Sequence, residues 1–203
     1  MRNFFKKIIT FGKIDLGNSN RDQDKFYKEI RGLINILFAV VFATSLSALK
    51  EFDWGYDFLI LVLAYFAILL SWWGYHFGTF IGGRENNIVN ILIDCGLLAI
   101  YYLLITQRHP FILVIGRYSL MFGLYFLWEL VRVLEGKGKA VNVAAIVNLS
   151  FFLIIGFLYI LCSKYECFNV KQCKLWFIIF LYVVLFGYRV VIHKVYTKYN
   201  NLN

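Results

Sequence analysis

The chain has 203 residues, of which 61% are hydrophobic, 20% aromatic and 16% charged, with a mean hydropathy of +0.67. Soluble domains are about half apolar and about a quarter charged, and one of this size could not hide so much apolar surface. The single proline and 15 glycines exclude a collagen-like or linker-rich chain. The hydrophobic content excludes a disordered one. The composition therefore predicts an integral membrane protein.

The net charge of +9 is the next feature to explain. In a soluble protein such a charge would suggest a nucleic-acid partner. Here the lysines and arginines cluster at the ends of apolar runs, where membrane proteins use them for anchoring and orientation. We therefore expect the lipid bilayer as partner and no nucleic acid.

Six apolar runs approach or reach the length of about 20 residues that a transmembrane helix needs. Strict alternation of polar and apolar residues is absent, which disfavours a barrel. The loops are short, so consecutive helices should be antiparallel neighbours. The sequence predicts an all-α polytopic membrane protein, a bundle of six transmembrane helices with short loops. The runs are Leu33 to Leu49, Phe58 to about Phe80, Ile88 to Thr106, Pro110 to Leu134, Ala140 to Cys162, and Leu175 to about Val195.

The distribution of lysine and arginine over the predicted loops indicates the orientation. Residues 1–31 are strongly basic and are expected to form a cytoplasmic segment, residues 32–196 the transmembrane domain, and residues 197–203 a cytoplasmic tail. The loop between the last two spans, with Lys164 and Lys174, runs against this pattern. The overall balance places both termini in the cytoplasm. The expected location is a bacterial inner membrane.

Charged and amide side chains inside the predicted spans are the candidate functional residues. A charge at the bilayer centre costs about 2.5–3.5 kcal/mol on insertion scales, so each should have a partner or line water. The spacing of Asn87, Asn90 and Asp94 puts them on one face of the third helix. The candidates that antiparallel helices bring to one level are Asn87, Asn90, Asp94, Glu129, Arg132, Arg189 and His76.

Two interpretations of this group remain open at the level of sequence. In the first, the residues form a salt-bridge cluster that clamps the bundle, with Asp94 neutralised by Arg132 or Arg189. In the second, they line a polar vestibule or a proton-linked site. Arg117 lies nearer the opposite face, where it would snorkel outward or hold an anion or a lipid headgroup.

Two stripes of small residues predict close contacts between helices. Small side chains at a spacing of four residues let two backbones approach, which drives association when lipid supplies no hydrophobic force. Gly116 and Gly123 could serve in the same way. The pattern does not say whether the contact is within the chain or between subunits, and we expect a homo-oligomer. The stripes are Ala39, Ala43 and Ser47 on the first span, and Gly74, Gly78 and Gly82 on the second.

Cysteines and histidines offer one candidate crosslink and no metal site. Cys167 and Cys173 flank the last loop, where a disulfide would form if that loop faces an oxidising compartment. A reducing host or the opposite orientation would leave free thiols instead. The histidines lie on different helices and give no ligand spacing. We expect neither a metal nor another cofactor.

No motif of a known catalytic chemistry is present. The sequence lacks a Gly-x-Ser-x-Gly elbow, a His-Glu-x-x-His zinc motif, a phosphate-binding loop and a dinucleotide fingerprint. We therefore expect a protein that is not an enzyme. The leading hypothesis is an oligomeric, channel-like or transport component that moves ions or small solutes. The alternative is a non-catalytic membrane anchor or sensor that recruits or regulates a soluble cytoplasmic protein.

Overall fold

A computed structural model describes residues 20–48, 55–82, 88–107, 110–136, 138–165 and 171–200. Of residues 73–82 it describes the helical backbone alone. Over these ranges the chain is entirely helical, which confirms the predicted all-α class. The helices are α1 (Asn20–Ala48), α2 (Tyr56–Gly82), α3 (Ile88–Thr106), α4 (Phe111–Leu134), α5 (Lys139–Lys164) and α6 (Lys171–Asn200).

Four of these helices are long and apolar enough to cross a membrane. In α1 and α2 the described apolar stretches are shorter, Gly32–Thr44 and Tyr56–Trp72. The length and composition of the four support a membrane protein, as the sequence predicts. Their apolar segments are Val89–Thr106, Phe111–Leu134, Lys139–Lys164 and Cys173–Lys198.

The first helix is longer than its apolar run. The run predicts a span from Leu33, whereas α1 begins at Asn20. The added turns contain aspartate, glutamine, lysine, glutamate and arginine, most of which are good helix formers. An apolar-run criterion finds only the lipid-facing or buried part of a helix, so it misses a polar extension of this kind.

Five helices enclose a common interior. Each of α2 to α5 packs on the helix that follows it in the chain, and α6 packs back on α2. The helix α1 lies against α3 and α2. The closest of these pairings joins α4 and α5. Because α4 also contacts α6 through aromatic side chains, such as Phe111 on Phe177, it is the central helix of the described bundle.

The apolar core contains buried side chains from all six described helices, with α5 contributing Ile155 and Cys162. It contains large side chains that are completely buried, among them Tyr101, Tyr118 and Phe122. The outer faces of α5 and α6 are also apolar, with Phe157 61%, Val183 65% and Phe186 63% exposed. Water-soluble monomers rarely expose large contiguous apolar patches, so these faces suit lipid.

The turn between α4 and α5 depends on two glycines. Gly136 follows the end of α4 with φ 77°, and Gly138 precedes α5 with φ 99°. Glycine adopts positive φ without the steric cost of a Cβ, which is why it often follows the last turn of a helix. The amide of Gly136 donates to the carbonyl of Val133 at 3.1 Å and closes that turn. The short connection lets the next helix fold back along α4.

Small residues bring α4 and α5 into close contact. A Cβ added at Gly123 would lie 3.1 Å from the Phe152 ring, and one at Gly116 would lie 3.1 Å from the Tyr159 ring. The Ser119 hydroxyl donates to the backbone carbonyl of Phe152 at 3.3 Å. In α4 the two glycines therefore serve the close contact that the sequence suggests for them.

Candidate functional site

A buried ionic cluster lies near the end of α4. Glu129 and Arg132 are 3% and 8% exposed, and they form a salt bridge of 3.3 Å between Oε2 and Nη1. Arg132 Nη1 also donates to the Tyr196 hydroxyl at 2.7 Å. That hydroxyl in turn donates to Glu129 Oε1 at 2.6 Å. Each of the three side chains thus forms a hydrogen bond or a salt bridge with the other two. A buried charge pair requires such additional hydrogen bonds.

The local sequence explains how the cluster forms. Glu129 and Arg132 are three residues apart, so they share one face of the helix. Arg132 belongs to the last turn of α4, where a cation is favoured by the helix dipole. Its guanidinium also lies 4.7 Å from the centre of the Trp128 ring. The cluster joins α4 to the end of α6, and Tyr196 is a member that sequence reasoning missed.

A second polar group connects three helices through hydroxyls alone. Ser71 on α2 hydrogen-bonds to both Tyr101 on α3 and Tyr125 on α4. The hydroxyls of Tyr101 and Tyr125 lie 2.7 Å apart. We call these residues the hydroxyl triad. No sequence spacing could identify it, because its members are far apart in the chain and meet only when the helices pack.

An aromatic cluster packs against Tyr125 of the hydroxyl triad. The Tyr188 ring of α6 stacks on Tyr125 at 5.9 Å, and it meets Phe122 edge-on at 5.0 Å. Phe151 of α5 completes the cluster, at 5.3 Å from Phe122 and 5.4 Å from Tyr188. These separations are those of rings in contact. Tyr188 is close enough to Tyr125, Glu129 and Tyr196 to interact electrostatically with each.

Buried amides add polar atoms beside this region. Asn148 of α5 is 1% exposed, and its Nδ2 donates to the Tyr125 carbonyl at 3.5 Å. Its Oδ1 has no hydrogen-bond partner among the described residues, and the same holds for Asn90 Oδ1 and the Tyr118 hydroxyl. Buried polar atoms are usually paired, so such atoms often lie next to internal water or a functional group. Sequence reasoning missed Asn148, which reads as an ordinary polar residue in a long apolar helix.

The structure brings together part of the predicted polar set. Asn90 and Asp94 are buried on α3, at 4% and 5% exposure, as their shared helix face suggests. Asn87 lies outside the described residues, as does the side chain of His76. Arg189 is half-buried on α6 and close to Tyr125 and Tyr188.

Arg132 pairs with a carboxylate of its own helix, while the expected pairing of Asp94 with Arg132 or Arg189 stays a prediction. The contacts of Arg132 in the described region are with Glu129, Tyr196 and Trp128. Glu129 lies one turn away on the same helix. It therefore contacts the guanidinium whatever the rotation of α3. The role of Asp94 stays a prediction.

Arg117 donates hydrogen bonds to backbone carbonyls at the end of α3. It is 8% exposed, and its Nη1 donates to the carbonyls of Leu103, at 3.0 Å, and Gln107. Its Nη2 donates to Gln107 Oε1 at 2.9 Å. The last carbonyls of a helix lack partners within the helix, and a cation is favoured beside them. Arg117 therefore caps the end of α3 in the described chain, and the expected contact with an anion or a lipid headgroup stays a prediction.

The predicted packing stripes have different environments. Ala39, Ala43 and Ser47 are exposed on α1, so within the described chain this stripe meets no neighbouring helix. Contact between subunits stays a prediction for this face. Gly74, Gly78 and Gly82 belong to the part of α2 for which only the backbone is described.

The cysteines give partial information about the predicted disulfide. Cys173 is exposed and Cys162 is buried, and neither forms a disulfide with another described cysteine. Cys167 lies outside the described residues, so the Cys167–Cys173 bridge stays a prediction. Within the described ranges, no group of three or more histidine, cysteine, aspartate or glutamate side chains is placed to hold a metal ion.

Comparison of the chain with protein families, curated proteins and solved structures found no match.

Proposed function

We propose that the chain is a channel-like or transport component that moves ions or small solutes across a membrane. The observation that carries the proposal is the burial of ionisable and amide side chains inside apolar helices, foremost the Glu129–Arg132–Tyr196 cluster. Such groups are costly in a bilayer, and they commonly mark ion pathways or proton relays. The adjoining hydroxyl triad and Asn148 extend the polar groups across α2, α3, α4 and α5.

The proposal includes six spans, since α1 and α2 continue the apolar pattern of the other helices. We further propose a bacterial inner membrane with both termini in the cytoplasm, because lysine and arginine are enriched in the segments that this orientation leaves inside. A reporter fused after Asn203 should then be cytoplasmic, and one inserted between Lys164 and Lys174 should be external. If both reporters lay in the cytoplasm, or both lay outside, this topology would be contradicted.

A homo-oligomer is part of the proposal. The exposed stripe of Ala39, Ala43 and Ser47 supports it, since small residues allow a second helix to approach closely. Further support comes from the exposed apolar side chains beside this stripe on α1, which include Ile36 and Val40. A second subunit would cover a face that the single chain leaves open.

Ion flux into liposomes tests the proposed function. The purified full chain, reconstituted into sealed vesicles, should dissipate an imposed gradient of at least one of potassium, sodium, chloride or protons. Empty vesicles give the background. Glu129→Gln removes the buried carboxylate charge at nearly constant volume and should reduce the flux, since a buried ionisable group on an ion pathway is expected to act in conduction.

The alternative of an anchor or sensor makes the opposite prediction. A chain that only recruits a soluble protein would leave every gradient intact, in the wild type as in Glu129→Gln. Intact gradients with correctly folded protein would therefore overturn the transport proposal.

A further inference from the structure

We propose that the species moved through this bundle is the proton, carried by the hydroxyl triad and the Glu129 cluster. The inference rests on the proposed transport function and names its substrate. It depends on two features of the described interior. The first is that the hydroxyl triad and the Glu129 cluster each include a side chain of α4, one helical turn apart. The second is an aromatic cluster packed between α4, α5 and α6.

The aromatic cluster argues against a hydrated ion. Phe122, Phe151 and Tyr188 lie 5.0–5.4 Å from one another, and Tyr188 stacks on Tyr125 with an interplanar angle of 4°. Rings at these separations are in van der Waals contact. An ion with its water shell cannot pass between them in this conformation. A proton needs no such opening, because it moves by exchange along hydrogen bonds.

The hydroxyl triad supplies those hydrogen bonds. Ser71, Tyr101 and Tyr125 are mutually hydrogen-bonded, and in each pair either oxygen can be the donor. A hydroxyl both donates and accepts, so the three can reverse the sense of donation around the ring. A proton that binds one hydroxyl oxygen displaces the proton already there to the next oxygen. The atoms and charges of the triad are the same before and after transfer.

The Glu129–Arg132–Tyr196 cluster is the second group that takes part in the proposed proton transfer. Glu129 lies one turn from Tyr125 on the same helix face, and Tyr188 is close to both. A carboxylate there takes up one proton to become a carboxylic acid and returns to the anion when it releases that proton. The titratable and charged groups that face Glu129 or Tyr125 in the described region include Tyr118 and Arg132 of α4, Tyr101 of α3, and Tyr188, Arg189 and Tyr196 of α6.

Proton and potassium fluxes, measured in parallel on the reconstituted full chain, test the proposal. We expect the wild type to acidify vesicles that carry a pH-sensitive dye when a potassium diffusion potential, negative inside, is imposed with valinomycin. Tyr125→Phe keeps the ring that stacks on Tyr188 and removes only the hydroxyl. It should reduce the proton flux about tenfold or more, since a positioned proton-transfer group commonly contributes at least that much.

Matched variants separate conduction from folding. Tyr182→Phe also removes one hydroxyl bond between helices, that from Tyr182 to the Leu59 carbonyl at 2.9 Å, and should conduct protons like the wild type. Ser71→Ala should lose flux, and Ser71→Thr should restore it because it keeps a hydroxyl. The thermal unfolding of each variant in detergent identifies any that simply fails to fold.

The outcomes distinguish the two proposals. Flux of potassium, sodium or chloride without proton flux would overturn the proton assignment and leave the transport function standing. Equal proton flux in the wild type, Tyr125→Phe and Ser71→Ala would also overturn the pathway. No flux of any ion would overturn both proposals together.

Discussion

Replacing Arg132 with methionine should lower the free energy of unfolding by about 3–5 kcal/mol, the usual cost of removing one partner from a buried ion pair. The effect is large because Glu129 is 3% exposed and would be left with a single described donor, the Tyr196 hydroxyl. Thermal or denaturant unfolding of the purified protein in mild detergent measures the change.

A triple variant provides the control for this prediction. Glu129→Leu, Arg132→Met and Tyr196→Phe together remove the carboxylate, the cation and the hydroxyl, so no member of the cluster is left without its partners. Replacing a whole buried ion pair with apolar residues is often neutral for stability. The triple variant should therefore be more stable than Arg132→Met alone. If the losses of unfolding free energy in the three single variants add up to the loss in the triple variant, the three residues do not act as a unit.

Replacing Gly123 with leucine should also destabilise the protein, by about 1–3 kcal/mol or more, because it overfills a closely packed interface. A Cβ at this position already lies 3.1 Å from Phe152 Cδ2 and 3.2 Å from Cε2. The rest of a leucine side chain would force α5 away from α4. Gly123→Ala should have a smaller effect, since the Phe152 ring needs to shift only slightly.

Gly187 offers a matched control on another helix. A Cβ added there meets no atom within 4 Å. Gly187→Leu makes the same chemical change in α6 and should leave the melting temperature near that of the wild type. If the two leucine variants are equally destabilised, the cause is not the contact between Gly123 and Phe152.

Helix positions were largely predictable because apolar composition determines them. The third predicted span, Ile88 to Thr106, coincides with α3. The one proline, Pro110, caps the start of α4, where its fixed φ and missing amide are tolerated. The polar start of α1 carries no hydropathy signal. Two aspartates, Asp22 and Asp24, ahead of the apolar Phe26 nevertheless indicate a helix that starts before the apolar run, and α1 begins at Asn20.

The candidate site was predictable only where its residues share one helix. Glu129 and Arg132 are near neighbours in sequence, so their proximity follows from helix geometry. The partnership of Ser71, Tyr101 and Tyr125 depends on how three helices rotate against each other, and no local spacing encodes that. The contacts of Arg117 were not predictable for the same reason, since Leu103 and Gln107 reach its guanidinium only when α3 and α4 pack together.

The turn at Gly136 and Gly138 has a consequence for how the protein is made. The helices α4 and α5 are consecutive and joined by a short turn, so their contacts close shorter loops than contacts between helices further apart in the chain, at a lower entropic cost. We expect this helical hairpin to associate as soon as both helices have entered the bilayer. During synthesis α6 follows this hairpin and would bring Tyr188 and Tyr196 to side chains already held in place. Until α6 docks, the Glu129–Arg132 pair lacks the Tyr196 hydroxyl, so the docking of α6 completes the ionic cluster.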